Sequence, residues 1–594
     1  MDILKTVPRG ETDPRYRWDL TAIYKSDEDY QKDLAKAKEQ SFAMKEKYRN
    51  QLKNKEIIEE LLEDYIDIQI IVDRLSAYAG LPVEADATDK KAFEVFMNFI
   101  HESGIIEQNL SFIRPELLSG EESLLKEVGE NPRYERFIQR LLRDKAITLS
   151  AKEEAILSKL SPTFGAFYDI YNTIKLQDIA FDDVEAGGES HPLTYNRFEG
   201  LYSSHTNTEL RRKSFQAFYD KLEEYQESTA RNYLAHCQME KQLADLRGFD
   251  SVFDYLLHGQ EVSRELYDRQ IDIIMEKLAP IMQKYAKILQ KEYKLDRMTT
   301  MDLLLAPDPD YSSEVSVEEA QKLVKEGLSV LGEEYGEILE RAFNEQWVDY
   351  VNNTGKSTGA FCSFIHSVHP FVLINWTGLM TEAMVLAHEL GHGGHAFLTA
   401  KEQHILDTRA SMYFIEAPST ANELIMAHHL LENAKDEREK NWLRGQIIAR
   451  TYFHNFVTHF LEAAFQREVY RLIDDNKSFT AEDLNEIFKK QLEKFWGPDI
   501  AIEGGVERTW MRQPHYYMGL YPYTYSAGLT IGTQVAHNIL KEGQPAVERW
   551  LNTLRAGGRK DPVGLAQMAG VDITTEKPLL NTIEYIGSLV DSLA

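Results

Sequence analysis

The sequence predicts a mainly α-helical protein, and three observations carry this prediction. Long stretches of the chain place apolar residues three and four positions apart, which is the period of one face of a helix. Several of these stretches open with a capping box, in which a serine is followed three residues later by a glutamate. Only two short segments have the composition that is typical of β-strands.

The predicted helices follow one another with short breaks. The clearest patterns, in chain order, cover residues 59–75, 151–160, 317–331 and 441–473. The capping boxes pair Ser150 with Glu153 and Ser316 with Glu319, so they mark the starts of the second and third patterns. Residues 306–310, which include two prolines, are predicted to form a loop before the third helix.

Two segments are predicted to be extended. Residues 179–195 hold two short runs on either side of Gly187-Gly188, as in a hairpin. Residues 361–376 precede the motif described below, and their run 371–376 is bulky and strand-prone. The free edge of this strand could pair with an extended peptide, and the equally supported alternative is a strand that is buried for structural reasons.

The length of 594 residues predicts two or more lobes, because a single core does not grow to that size. Residues 1–195 are helical and hold no candidate chemistry, whereas every motif below lies after them. We therefore predict an N-terminal helical domain over residues 1–195, which forms a lid or wall. A second domain over residues 196–594 would carry the chemistry.

Charge and composition exclude several function classes. The net charge of −29, from 67 basic and 96 acidic residues, opposes binding to nucleic acid and to anionic membranes. The chain lacks the run of 18 apolar residues that a membrane span needs, and residues 1–9 show no secretory signal. The only cysteines, Cys237 and Cys362, are too few for a disulfide scaffold, so we expect a cytoplasmic protein. Cys362 is either a small buried side chain or a thiol that lines a cleft.

The strongest motif is His388-Glu389-Leu390-Gly391-His392, which follows a run of good helix formers. Two histidines four residues apart lie on one face of a helix, where both imidazoles can bind a single Zn²⁺. Glu389 then lies close enough to act on a water at that ion. The sequence therefore predicts a zinc site with Glu389 as the general base.

A catalytic zinc needs a third protein ligand. One known pattern would place a histidine at Leu398, and a bond from His395 on the same helix would be strained. Glu416 is the best candidate, because it follows His392 by 24 residues. Its apolar neighbours indicate a buried carboxylate, which needs a counter-charge that zinc would supply. Glu423, two helical turns later, is predicted either to accept the free N–H of a ligand histidine or to be an ordinary charge on a helix face.

An aromatic segment at residues 515–525 contains His515 and five of the 30 tyrosines. Peptide hydrolysis generates an oxyanion, which a positioned phenol or imidazole can stabilise beside the metal. We predict this role for His515 and for one tyrosine, with Tyr523 preferred to Tyr521 and Tyr525. The alternative is that these aromatic side chains only fill a core.

Together these residues resemble the thimet-type oligopeptidase family of zinc metallopeptidases, and most closely its bacterial oligoendopeptidase F branch. The similar segments extend over nearly the whole chain: residues 18–24, 370–376, 387–392, 414–419, 515–525 and 556–572. The resemblance implies a bilobed helical shell around a deep substrate channel, with a small β-sheet beside the zinc-binding helix.

The resemblance also implies roles for individual residues. The matching metal ligands are His388, His392 and Glu416. Glu389 matches the general base, Tyr523 the tyrosine that stabilises the transition state, and His515 a nearby histidine. The spacing from His515 to Tyr523 is shorter than in the thimet branch, so Tyr521 and Tyr525 stay open as alternatives.

The predicted function is therefore that of a cytoplasmic zinc endopeptidase, with one Zn²⁺ per chain, that hydrolyses internal bonds of short oligopeptides. Two alternatives are a zinc exopeptidase and a catalytically inactive peptide-binding protein of the same fold. The absence of a second acidic motif for a substrate amine disfavours the exopeptidase, and the presence of every expected catalytic residue disfavours the inactive protein. Oligomeric state and cleavage preference stay open.

Overall fold

The computed structural model describes residues 7–308, 310–311 and 313–593. Residues 1–6, from the segment without a secretory signal, and Pro309 of the predicted loop lie outside the described residues. The helices are α1 (Asp27–Tyr48), α2 (Lys55–Ala85), α3 (Lys90–Leu110), α4 (Ile113–Ser119), α5 (Glu122–Gly129), α6 (Glu135–Lys145), α7 (Ala151–Thr173), α8 (Tyr195–Arg197), α9 (Thr208–Glu223), α10 (Gln226–Leu246), α11 (Val252–Gln260), α12 (Arg264–Ile273), α13 (Ala279–Glu292), α14 (Val317–Gly327), α15 (Glu333–Asn344), α16 (Met380–Glu402), α17 (Ala417–Glu432), α18 (Glu437–Gln446), α19 (His459–Asp474), α20 (Ala481–Trp496), α21 (Tyr523–Glu542), α22 (Gln544–Ala556), α23 (Pro562–Met568) and α24 (Lys577–Asp591). The strands are β1 (Val184–Ala186), β2 (Glu189–His191), β3 (Val348–Asp349), β4 (Ala360–Ser363) and β5 (Phe371–Ile374).

These elements confirm the mainly helical fold. Among the described residues, no helix has both the length and the hydropathy of a membrane span.

The four predicted helical patterns all lie in helices. Residues 59–75 lie inside α2, residues 151–160 open α7, and residues 317–331 cover α14 and the 3₁₀ turn that follows it. Both capping boxes form, with the serine hydroxyl accepting from the glutamate backbone N–H. The pattern 441–473 contains a 12-residue π-helical stretch, Ile447–Thr458, between α18 and α19. Widened turns of this kind are frequent at functional sites.

The extended segments also form, with one correction. The hairpin joins β1 to β2 through Gly187 and Gly188, whose positive φ values of 63° and 84° suit a tight turn. The second sheet has the order β3-β5-β4, with β3 parallel and β4 antiparallel to β5. β5 is therefore the buried central strand, so the alternative of a structural strand holds for residues 371–374. Within the described residues, the two edges of the sheet are β3, which is buried, and β4, which is half-buried and therefore the more accessible edge.

The first hydrophobic core is formed by α1 to α6. Asn54 caps α2, and residues such as Ile58, Leu61 and Leu62 then form an apolar stripe that packs against α1 and α3. The same core includes Phe371 and Leu373 of β5, so the helical N-terminal part rests directly on the sheet.

The N-terminal segment ties this part to the sheet through polar contacts. The Trp18 indole N–H donates to the carbonyl oxygen of Val372 at 2.7 Å. Asp349 of β3 is fully buried and accepts from Arg9 and from Lys356, whose ammonium lies 2.8 Å away. The buried carboxylate of Asp349 and the buried ammonium of Lys356 therefore form an ion pair inside the protein, because a buried charge needs a partner.

The second and larger core begins at Val184 and extends to α24. α7, although it precedes residue 195, packs against α10 and the segment 514–517 of this second part. The two cores therefore separate between α6 and α7. The domain boundary near residue 195 stays a prediction, because packing defines cores and does not define independently folding units.

Candidate metal centre and active site

The motif histidines lie on one face of α16, as the sequence predicts. Their rings are 5.3 Å apart, and both Nε2 atoms face the same oxygen of Glu416. The distance to Glu416 Oε2 is 3.6 Å from His388 and 3.2 Å from His392. The three side chains are 19–27% exposed, so the group lies in a recess that solvent reaches.

Glu416 occupies the N-cap position of α17, immediately before the helix starts. The Ser419 hydroxyl donates to its carboxylate at 2.9 Å and holds one rotamer. Burial opposes the charge of Glu416, but the charges of the two histidines and the hydrogen bonds outweigh it and lower the pKa of Glu416 to about 2. The third candidate ligand is therefore ionised and points at the two imidazoles.

Small residues allow α16, α17 and α21 to approach closely enough for this geometry. A Cβ on Gly391 would lie 2.5 Å from the carbonyl oxygen of Pro418, and a Cβ on Gly528 would lie 2.7 Å from Cβ of Glu416. A Cβ on Gly532 would overlap the hydroxyl of Thr420. Glycines at these contacts thus bring the backbone of α17 against its two neighbours.

The donor set fits a zinc ion. Zinc bound to nitrogen and oxygen at roughly 2.0–2.1 Å in a tetrahedral site separates neighbouring ligand atoms by about 3.3 Å. The observed 3.2 and 3.6 Å bracket that separation, and two imidazoles with one carboxylate are a catalytic zinc set with an open position.

Glu423 is placed against the metal site, which favours the first of its two predicted interpretations. Its Oε2 lies 3.1 Å from Nδ1 of His388, while Thr451 of the π-helical stretch donates to its other oxygen. Burial opposes protonation of His388, but the hydrogen bond to Glu423 and the nearby carboxylates outweigh it and raise the pKa of His388 to about 9. Glu423 fixes the tautomer that leaves Nε2 facing Glu416.

Glu389 is 6% exposed and directly follows His388 on α16. Burial raises the pKa of Glu389, and the charges of His388 and His392 offset part of this rise. Burial, and to a lesser degree the charge of Glu389, raises the pKa of the Cys362 thiol on β4. Cys362 is therefore a half-buried neutral thiol on the strand that packs against α16.

His395, the rejected ligand candidate, lies apart from this group. It is 5% exposed, its ring packs 6.3 Å from that of Phe414, and burial lowers the pKa of His395 to about 3. His395 is therefore a neutral histidine in the core.

Among the candidate tyrosines, the structure places Tyr525 beside His515 and packs Tyr523 into the core. The ring of Tyr523 is 1% exposed and packs against Tyr267 and Tyr413, and its hydroxyl donates to Gln260. Tyr525 is half-buried instead, and its hydroxyl lies 3.3 Å from Nε2 of His515. Burial raises the pKa of both Tyr521 and Tyr525, and the charge of Glu416 is among the further effects that raise both pKa values.

Three further residues adjoin His515 that the sequence analysis did not single out: His454, His459 and Glu462. The available signal was the three-residue spacing of His459 and Glu462, which places both on one helix face. Their position beside His515 depends on the fold, because more than 50 residues of chain intervene.

Comparison with known proteins places this chain in a family. The sequence model of peptidase family M3 matches residues 201–585, and that of the oligopeptidase F N-terminal region matches residues 120–181. The chain is 27% identical to oligopeptidase PepF of Bacillus subtilis, over 96% of this chain and 86% of that protein. It is 25% identical to an oligoendopeptidase F homologue of Borreliella burgdorferi, over 97% of both chains.

Solved structures show the same fold. A peptidase structure from Chlamydophila abortus superposes with a TM-score of 0.88 at 25% identity, covering 99% of both chains. Oligoendopeptidase F of Enterococcus faecium superposes with a TM-score of 0.72 at 21% identity, covering 96% of this chain and 98% of that one. With the match of the family model extending over more than half of its length, this chain belongs to peptidase family M3.

Proposed function

We propose that this protein is a zinc endopeptidase that hydrolyses internal bonds of short oligopeptides. The observation that carries the proposal is the convergence of His388 and His392 on one oxygen of Glu416, at 3.6 and 3.2 Å. These three residues would hold one Zn²⁺ per chain, and Glu423 would orient His388. Bound zinc supplies a Lewis acid that acidifies water and polarises a carbonyl group.

Glu389 would serve as the general base and then as the acid. Its carboxylate takes a proton from the attacking water and returns it to the amine that leaves. A pKa raised by burial suits this exchange, because a group that both accepts and donates works best when its pKa approaches the operating pH.

Tyr525 and His515 would stabilise the oxyanion. A phenol donates a hydrogen bond while remaining neutral, and the raised pKa of Tyr525 keeps its proton in place. Tyr521, whose ring stacks on His515 at 5.0 Å, would support this pair. Tyr523 is left as a packing residue.

The free edge of β4 would align the substrate. This strand packs against α16, which carries Glu389, so a peptide paired with its backbone would run past the proposed general base. The relatives named oligoendopeptidases favour internal cleavage of short peptides. The two free cysteines favour a cytoplasmic site of action.

The first test is the substitution Glu389→Gln. We expect it to keep one zinc per chain by elemental analysis and to lower kcat by about 10²- to 10⁴-fold, because the site loses its proton acceptor. His388→Ala should instead lose the metal. Turnover of the zinc-loaded Gln variant at the wild-type rate would reject the assigned role of Glu389.

The second test separates endopeptidase from exopeptidase activity. A quenched fluorescent peptide with an acetylated N-terminus and an amidated C-terminus should be cut internally, as shown by mass spectrometry of the products. Cleavage only of peptides with a free terminus would indicate an exopeptidase. Binding without cleavage in the presence of zinc would indicate an inactive peptide-binding protein.

A further inference from the structure

A second histidine and carboxylate group lies behind the proposed oxyanion donors. It consists of His459, Glu462 and His515, which offer ligand-type atoms within 4.8 Å of one another. Glu462 is 0% exposed and His459 is 2% exposed, and both lie in the first turn of α19. The proposed mechanism gives neither of these two residues a task.

The spacing within this group differs from the spacing at the candidate metal site, with one hydrogen bond and one longer ion-pair distance. Nδ1 of His459 lies 2.8 Å from Oε2 of Glu462, which is the usual length of an N–H donating to a carboxylate. Nδ1 of His515 lies 3.8 Å from the same oxygen. A zinc ion would separate neighbouring ligands by about 3.3 Å, so one distance is too short and the other too long.

The carboxylate of Glu462 faces two imidazoles. Its ion pairs, within the described residues, are those with His459 and His515. A carboxylate buried among aromatic rings needs such N–H donors. Burial opposes its charge, but His459 outweighs this effect and lowers the pKa of Glu462 to about 2, so the carboxylate is ionised at neutral pH. An ionised acceptor beside Nδ1 of His459 selects the tautomer of that ring that carries its proton there.

Both rings held by Glu462 contact Tyr525. With Nδ1 of His515 toward Glu462, its Nε2 faces the Tyr525 hydroxyl at 3.3 Å. The ring of His459 stacks on the ring of Tyr525, with centroids 3.9 Å apart and planes 15° apart. On its far side, Nε2 of His459 lies 3.0 Å from Nε2 of the exposed His454. One carboxylate thus orients the two groups that fix the hydroxyl and the ring of Tyr525.

We propose that Glu462 is a positioning residue, which holds His515 and His459 so that the Tyr525 hydroxyl is aimed at the oxyanion. This inference rests on the proposed function, and specifically on the roles of Tyr525 and His515. Glu462 acts through these neighbours and contacts neither the substrate nor the metal ligands. Its removal should therefore affect the transition state more than the bound substrate.

The primary variant is Glu462→Gln, which keeps the shape and removes the charge. We expect an unchanged zinc content, a nearly unchanged KM and a kcat about 10- to 100-fold lower, because a small misplacement of a catalytic group is costly. The matched control is Glu240→Gln. Glu240 is also a buried carboxylate, 6% exposed, beside a histidine (His236, 3.3 Å) and a tyrosine, but outside the proposed site. This control should lose stability and keep kcat.

A double-mutant cycle distinguishes positioning from general support. If Glu462 acts in part through His515, the loss of kcat in the double variant Glu462→Gln with His515→Gln should be smaller than the product of the two single losses. Independent, multiplying losses would overturn the inference, as would a wild-type kcat for Glu462→Gln. If Glu462→Gln does not fold, a second cycle combines His459→Gln with Tyr525→Phe. We again expect the combined loss of kcat to be smaller than the product of the single losses, and losses that multiply would overturn the inference.

The single variant His515→Gln separates this inference from the proposed function. A wild-type kcat for His515→Gln would remove the assumed donor and refute the role of His515 itself. A slow His515→Gln beside a fully active Glu462→Gln would refute only the positioning role of Glu462.

Discussion

Tyr523 and Tyr525 are two residues apart in the first turn of α21, and they face opposite surroundings. Two positions on a helix differ by about 200° around its axis, so neighbours of this spacing cannot share a face. Tyr523 enters the core between Tyr267 and Tyr413. Tyr525 enters the recess that holds His515. The chemistry available to each phenol is thus set by helix rotation.

Exchange of each phenol for phenylalanine tests this difference. Tyr525→Phe should lower kcat by about 10²- to 10³-fold, because one oxyanion donor is lost. Tyr523→Phe is the matched control and should keep kcat while losing about 1 kcal/mol of unfolding free energy with its hydrogen bond to Gln260. Steady-state kinetics and thermal unfolding of both variants suffice. The reverse ranking of the two kcat values would restore Tyr523.

Contacts between helices decide where Glu416 lies. α17 is enclosed by α16 on one side and α21 on the other, and glycine occupies both contacts. Gly528 lies directly against Cβ of Glu416, so this candidate ligand is held by a helix that supplies no candidate ligand itself. Metal affinity therefore depends on close packing as well as on the donor atoms.

Gly528→Ala should displace Glu416, because its Cβ would lie 2.7 Å from that of the ligand. We expect a loss of about 1–3 kcal/mol of stability and a measurably weaker zinc affinity in a chelator competition. Gly336→Ala in α15 is the control, since a Cβ there meets no atom within 4 Å and alanine is the better helix former. Equal zinc affinity in the two variants would contradict this account of the packing.

Across the whole molecule, the N-terminal part is attached close to the metal site. The carboxylate of Asp73, on α2, accepts from the backbone N–H of His366 at 2.7 Å, in the loop between β4 and β5. The first core also includes Phe371 and Leu373 of β5. Through β4 and β5, the N-terminal helices thus support the wall along which a substrate would bind.

Asp73→Asn should change how stability depends on pH. Burial raises the pKa of Asp73 in the folded state, so its stabilising contribution is complete below the unfolded pKa and is lost as pH rises through the folded pKa. The asparagine variant avoids this loss of stability, which amounts to about 1.4 kcal/mol for each unit by which folding raises the pKa of Asp73. Thermal unfolding should show the variant gaining on the wild type as pH rises from the unfolded-state pKa of an aspartate, about 3.9, through the raised folded-state pKa. A constant difference across that range would contradict the prediction.

The sequence by itself determined the helical fold, the hairpin at Gly187-Gly188 and the placement of two histidines on one helix face. These follow from local rules: side-chain period, capping and turn chemistry act over a few residues. Family resemblance and apolar neighbours identified Glu416, although it is separated from His392 by a loop. The sequence therefore supplied the full candidate ligand set and the general base.

Only the tertiary structure decided which strand has the free edge, which tyrosine faces His515, and that Glu462 lies behind both. Strand order and helix rotation depend on packing between segments that are distant in the chain, and no local pattern encodes them. The pattern of residues 371–376 fits a central and an edge strand equally well. Likewise, the three tyrosines at 521, 523 and 525 are chemically identical until the surrounding helices bury Tyr523 and leave the other two beside His515.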